Sequence, residues 1–203
     1  MDWWLRVRRV PAVGVGLAVC LAFGALADSI QVPVPVVVGG LSFPLPLPFL
    51  LPLVPVCLIL YGQARGDAAV ERTAVRAMRL WDAGFMALCA ALVLAGGQLI
   101  SVMTNQVLAV GMARNFLGYL GVALLLRPLA GPHVTTAAVA LFPIACAGFG
   151  VHGGTPSRWA WPLHEVGSVA GFAQAAVLGA VGLVVAAVPH ADFRRLRAAH
   201  PEA

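Results

Sequence analysis

Lysine is absent from this 203-residue chain, and charged residues of all kinds make up only 10% of it. A water-soluble domain carries about 25% charged residues and about 45–50% apolar ones. With 61% apolar residues, this sequence exceeds what one soluble core can hide, and lipid becomes the solvent for much of its surface. Arginine supplies all of the basic charge, and the net charge is +5. That excess would suit nucleic acid only if the arginines shared one soluble face, and they are instead dispersed between apolar runs. Cysteine is scarce and scattered. Cys20, Cys57, Cys89 and Cys146 each stand alone in an apolar stretch, which argues against a disulfide framework or a thiolate metal site and for buried free thiols.

Catalytic signatures are equally sparse. There is no GxxxxGK[ST] loop, so the chain holds no Walker site for ATP. His164-Glu165 is followed by Val166-Gly167-Ser168 rather than completing HExxH, and no GxSxG elbow occurs. His152-Gly153-Gly154 has the look of an oxyanion-type turn without a paired serine. His152, His164 and Glu165 form the outer group that an embedded enzyme would have to use. These absences point away from an enzyme, and no cofactor or metal is expected.

What is present is a succession of apolar runs. The expected fold is an all-α, polytopic membrane helix bundle of about six transmembrane helices in a single domain, 1–203. The expected spans are 11–27, 44–61, 83–102, 107–126, 133–151 and 165–188, each approaching the roughly 20 residues that cross about 30 Å of hydrocarbon. The first run, behind Trp3, Trp4 and three arginines, also fits a cleavable signal peptide ending at Ala25-Leu26-Ala27. Residues 29–43, rich in proline and glycine, read as an outer loop or a shallow re-entrant piece. Pro52 and Pro55 fall inside the second span and predict a kink, and Pro143 predicts another in the fifth.

Between spans two and three, residues 67–82 form an amphipathic helix. Val70, Ala74, Met78 and Trp81 share one face, and Arg72, Arg76 and Arg79 another. It either lies against anionic headgroups or docks a cytoplasmic partner. Arg6, Arg8, Arg9, Arg65, Arg72, Arg76, Arg79, Arg127, Arg194, Arg195 and Arg197 fall on one side of this topology and Arg158 alone in an outer loop. The positive-inside bias therefore places both termini in the cytoplasm of a plasma-membrane protein.

Arg114 lies within the fourth span, where a charge costs at least about 2–3 kcal/mol on insertion scales. It reads either as a substrate-path or gating residue, or as a structural ion pair or a snorkelling side chain. Glu165 is the candidate partner, with Gln98 and Asn115 as further hydrogen-bonding groups. Gly167, Gly171, Ala175 and Gly179 repeat every fourth residue in the last span and form a stripe for close helix packing, within the chain or across a dimer seam. Gln174 lies beside the stripe. Trp159 and Trp161 suit anchors at the outer interface, or a platform for a ligand.

Three stretches carry a family resemblance. They are Glu71-Arg72-Thr73-Ala74-Val75-Arg76 with Arg79-Leu80-Trp81-Asp82; Ala113-Arg114-Asn115-Phe116-Leu117-Gly118 leading into Gly121-Val122-Ala123-Leu124; and Trp159-Ala160-Trp161-Pro162-Leu163. Together with the order of spans, this resembles actinobacterial six-span membrane subunits of ABC-2-type ABC exporters, and the arginine-only, Ala/Val/Gly/Leu-rich composition fits a GC-rich genome. The resemblance implies a permease subunit that pairs with a second six-span subunit, as a homo- or heterodimer, and is energised by a separate cytoplasmic ATPase. It assigns ATPase coupling to Glu71, Arg72, Arg76, Arg79 and Trp81. The competing expectation is a non-transporting membrane scaffold or sensor subunit.

Overall fold

The computed structural model describes residues 2–26, 30–36, 42–65, 78–152 and 155–188. The tail arginines Arg194, Arg195 and Arg197, residues 67–77 of the expected amphipathic helix, and Gly153-Gly154 lie outside them. The chain is mainly helical. A short α1 (Asp2–Val7) leads into α2 (Val10–Leu26). Arg9 separates the two with a left-handed φ of 53°. Pro11 sits in the first turn of α2, where its missing N–H has no helical acceptor to lose. Helices α3 (Leu53–Ala64), α4 (Met78–Thr104), α5 (Leu108–Phe149) and α6 (Val169–Ala187) follow. Among the described residues, four helical segments are long and apolar enough to cross a bilayer: Leu47–Ala64, α4, α5 and α6. The 17 residues of α2 are apolar as well.

The longest helix is two. Gly131 interrupts α5 with φ 78° and ψ 171°, a conformation that favours a residue without Cβ. The Trp161 ring touches both Tyr119 (5.5 Å between centroids) and Phe142 (6.1 Å). On one straight helix Tyr119 and Phe142 would lie about 34 Å apart at 1.5 Å per residue. The chain therefore folds back at Gly131, and residues 108–130 and 132–149 run antiparallel. The first leg is the hub. Nearly all of 109–124 is buried, and Phe116, Tyr119, Leu120 and Leu124 meet Val13 and Leu17 of α2, Ile59 and Leu60 of α3, and Met86 and Val93 of α4.

The outer surface is apolar. Val15, Val19 and Phe23 of α2, Leu88, Leu92 and Leu99 of α4, and Val177, Val181 and Val184 of α6 are all exposed. Aliphatic bands of this extent belong against hydrocarbon rather than water. The free thiols of Cys20, Cys89 and Cys146 are buried, and that of Cys57 is partly so.

The structure departs from the sequence expectations in three places. Residues 29–43 supply part of a β-ribbon, so the fold is not purely helical. Strand β1 (Gln31–Pro35) pairs antiparallel with β2 (Ser42–Pro46), with Pro33 opposite Pro44. Proline cannot donate, so the Pro33–Pro44 pair falls on a non-hydrogen-bonded site of the ladder. Val32–Leu45 and Val34–Phe43 take the bonded sites, and the same alternation turns Val34 and Leu45 into the core. A smaller ribbon joins β3 (Val151–His152) to β4 (Thr155–Pro156).

Second, α3 starts later than the expected span. Pro52 is its N-cap and Pro55 lies in its first turn, where no helical hydrogen bond is lost, so neither sits at a mid-helix kink. Third, α6 begins at Val169, capped by the Ser168 hydroxyl, which accepts the Gly171 N–H at 3.2 Å. Residues 165–168 are loop, and α4 begins at Met78, inside the stretch assigned to the amphipathic helix.

A side chain at Gly131 has space but not the backbone conformation. Gly131→Val is expected to lower unfolding stability in detergent by about 1–2 kcal/mol. Gly14→Ala, on the exposed face of α2 with no neighbour within 4 Å, should be neutral or slightly stabilising in the same titration.

Candidate functional site

Two polar knots interrupt the apolar bundle, one at each end. The first surrounds Arg114, which is fully buried on the first leg of α5. Its Nε donates to Asn115 Oδ1 (3.2 Å), Nη1 to the Glu165 carbonyl (2.9 Å), and Nη2 to the carbonyls of His164 (2.9 Å) and Pro162 (3.4 Å). Asn115 Nδ2 adds a second bond to the Pro162 carbonyl (3.1 Å). The guanidinium lies between two rings, 5.8 Å from the Phe49 centroid and 5.7 Å from that of Phe172. One helical turn on, the Tyr119 hydroxyl donates to the Phe49 carbonyl (3.1 Å).

The logic is local. A 3₁₀ turn at Trp161–Leu163 ends in an extended His164, so the carbonyls of 162 and 164 have no helical partners, while that of Glu165 accepts the Ser168 N–H at 3.0 Å. A buried carbonyl without a donor costs about 1–3 kcal/mol. The planar fork of Arg114 answers both at once and gives the Glu165 carbonyl a second donor. Its own charge is held by four oxygens and two π faces, an arrangement that offsets desolvation.

The expected pairing with Glu165 is thus made through the main chain, while the Glu165 residue is exposed. Gln98 is also exposed, on α4, and none of the acceptors around Arg114 comes from it. Of the packing stripe, Gly171 faces Arg114, where an added Cβ would stand 2.8 Å from Nη1. Ala175 is fully buried, and Gly179 meets Leu117. The stripe is filled by α5 from within the chain, which leaves no room there for a second copy. Gly167 lies outside it, exposed, with nothing near its Cα hydrogens. Gln174 Oε1 is buried and accepts no hydrogen bond. Trp161 is not an interface anchor but a core residue, 3% exposed and wedged against Gly118, whereas Trp159 is exposed.

The second knot was not foreseen. The Arg8 guanidinium grips Asp82 through Nη2–Oδ2 (2.6 Å) and Nε–Oδ1 (3.0 Å), and Trp4 Nε1 donates to the same Oδ1 (3.0 Å). Arg8 Nη1 also donates to the Gln63 carbonyl (3.3 Å). Arg127 binds both the Gln63 side-chain oxygen and its carbonyl, the latter at 3.2 Å. Gln63 Nε2 points at Met86 Sδ (2.9 Å), and Trp4 meets Phe85 edge-on at 5.7 Å. This knot ties α1 and the residue after it, the end of α3, the start of α4 and the approach to the fold-back of α5 together. Arg79 adds the end of α6 by donating to the Val188 carbonyl (3.2 Å). The sequence reading used Arg8 and Arg127 only as markers of orientation. The signal for more was the position of Asp82, an acid at the edge of a long apolar run, although Arg79 three residues earlier on the same helix offered a local partner.

Among the coupling candidates, Arg79 and Trp81 are exposed on the first turn of α4. Glu71, Arg72 and Arg76 lie outside the described residues. Among the described residues no cluster of three His, Cys, Asp or Glu side chains could hold a metal. The His164 ring is engaged with the Ser157 carbonyl at 3.1 Å. Comparison with family models, with curated proteins and with solved structures gives no match.

Removing the fork of Arg114 takes the donor from the His164 carbonyl, leaves Pro162 and Glu165 with one donor each, and frees Asn115 Oδ1. Arg114→Met is expected to cost about 2–5 kcal/mol in a detergent unfolding titration, and Arg114→Lys should restore only part of it, because a point charge cannot span three carbonyls and an amide. Asp82→Asn, which leaves Arg8 without its counter-charge, should cost about 1–3 kcal/mol.

Proposed function

We propose that this chain is a six-pass plasma-membrane protein with both termini in the cytoplasm, serving a larger assembly as a non-catalytic scaffold or sensor subunit. The six passes are α2, α3 with its lead-in turn, α4, the two legs of α5, and α6. The fold-back of α5 at Gly131 supports this count, because it returns the chain to the end it came from. Arg8, Gln63, Asp82 and Arg127 share one end, which the arginine excess assigns to the cytoplasm.

The observation that carries the scaffold reading is the state of Arg114. Every nitrogen of its guanidinium is engaged by main-chain or amide oxygens, and its side chain is closed in by Phe49 and Phe172. A residue committed in this way to holding a loop is unsuited to passing a substrate along.

A second reading has its own observation. Arg79 and Trp81 are exposed where α4 leaves the cytoplasmic surface, at the position that the exporter resemblance assigns to ATPase contact. On that reading the chain is an ABC-type permease subunit and works as a dimer of six-span subunits driven by a separate ATPase. Transport would then require states that bind the ATPase differently.

Two measurements test these readings. Thr155→Cys in intact cells should react with a membrane-impermeant maleimide, and Ala64→Cys should react only after lysis; the reverse pattern would invert the topology. Copurification from native membranes then separates the readings. A scaffold should retain partners with no Walker-type ATPase among them. Recovery of such an ATPase, lowered about tenfold or more by Arg79→Glu with Trp81→Ala, would replace the scaffold by the permease.

A further inference from the structure

The arginines at the cytoplasmic end are not all spent on the knot. Arg6, Arg9 and Arg65 surround an open cavity of about 460 Å³, floored by Pro11 and Ala12 at the start of α2. Arg65 rests on Tyr61, 5.7 Å from the ring centroid, and donates to its hydroxyl at 3.1 Å. That partner is neutral, and among the described residues no carboxylate is paired with Arg65. Among the described residues no carboxylate lines the cavity, and the nearby acid Asp82 is held by Arg8. Three like charges around one concavity repel one another unless an anion sits between them.

The surface below the cavity says what kind of anion. Pro11, Val15, Val19 and Phe23 repeat every fourth residue and so share one face of α2. Val15, Val19 and Phe23 are 64%, 45% and 51% exposed. The opposite face, with Val13, Leu17 and Cys20, is buried in the bundle. The exposed stripe runs for about 18 Å at 1.5 Å per residue, a little more than one leaflet's share, roughly 15 Å, of the hydrocarbon core. A cationic cavity therefore opens onto an apolar track of acyl-chain length.

We propose that Arg6, Arg9 and Arg65 form a binding site for the phosphate of an anionic phospholipid of the cytoplasmic leaflet, whose acyl chain lies along Val15, Val19 and Phe23. Free inorganic phosphate shares the headgroup chemistry but would leave the track unused. A zwitterionic lipid would use the track and bring its own cation into a cavity already rich in them. The site is separate from both polar knots and does not depend on whether the chain transports or scaffolds.

The test uses the full-length protein, delipidated in a neutral detergent. Phosphatidylglycerol and phosphatidylcholine of matched chains are titrated, with binding read by native mass spectrometry and by thermal protection. The wild-type protein should bind phosphatidylglycerol at least about tenfold more tightly. Each of Arg6→Gln, Arg9→Gln and Arg65→Gln should weaken phosphatidylglycerol about fivefold, the weight that one surface arginine carries at an anionic leaflet, and leave phosphatidylcholine unchanged. Arg158→Gln, at the opposite end, should change neither.

Equal affinity of the wild-type protein for the two lipids would overturn the proposal, and that comparison needs no variant to fold. So would phosphatidylglycerol affinity that survives all three cavity substitutions, or one that falls equally in Arg158→Gln. Displacement of the lipid by inorganic phosphate at comparable concentration would reassign the cavity to a soluble anion and end the lipid proposal.

Discussion

The main chain between the β3–β4 ribbon and α6 turns on itself through the N–H groups of Ala160, Leu163, His164 and Ser168, but it leaves the carbonyls of Pro162 and His164 to side-chain donors, and the fold is arranged around that fact. In hydrocarbon, backbone groups have to be satisfied within the protein. Helices do this automatically, and the loop at 162–165 does so only in part, leaving the Pro162 and His164 carbonyls without a main-chain donor. Arg114 supplies the missing donors from the neighbouring leg of α5, so one side chain fixes where α6 begins, how it is capped by Ser168, and which of its faces meets α5. Gly171 follows from the same contact. Any side chain there would collide with Arg114 Nη1, so the small-residue stripe begins where the guanidinium sits.

Proline and glycine obey the same constraint from the other side. A proline removes a donor, which is harmless only where no acceptor waits for it. The prolines of the β1–β2 ribbon stand on non-bonded ladder sites, Pro52 stands at an N-cap, Pro55 and Pro11 stand in first turns, and Pro132 opens the second leg of α5, whereas Pro128 and Pro143 lie within its legs and are the exceptions. Lipid offers little hydrophobic drive for helices to associate, so close packing has to hold them. The α5–α6 contact is correspondingly tight: Gly121 lies against the Leu178 main chain and Gly182 against the Gly121 carbonyl, the latter at 2.8 Å from an added Cβ.

Much of the helical content was legible as runs of apolar residues, because length and hydropathy are summed over many positions and tolerate local irregularity. The reversal near residue 131 was legible too, from Arg127-Pro128 and Gly131-Pro132 between two apolar runs. The β1–β2 ribbon was written in V-P-V-P and F-P-L-P, a period of two, but proline and glycine content drew attention to what the segment could not be. Arg114 was legible as the unusual residue and its neighbourhood to Glu165 was found. That the bond runs to a carbonyl was not, since composition records side chains and not which backbone groups a turn leaves orphaned. The Arg8–Asp82 pair joins residues 74 apart in sequence, and no periodicity within either segment encodes it. Trp161 shows the same limit: a tryptophan in a loop suits an interface, and only the facing Gly118 reveals the slot that takes it.

The two ends of the bundle are closed by different chemistry, and this bears on where it acts. At the ribbon-bearing end the buried charge is matched by carbonyls, which carry no net charge and do not titrate. That knot is indifferent to ions and partners and serves as a fixed anchor. At the arginine-bearing end the matching is between charged side chains, with Asp82 partly exposed at 15% and more guanidinium groups than carboxylates among the described residues. Such an end responds to the anions around it, because each additional negative group changes the balance that holds α1, α3 and α4 together. The scaffold or sensor role proposed above would call for one inert end and one left open to outside charge. The exposed Arg79, Trp81, Arg6, Arg9 and Arg65 all lie at that second end.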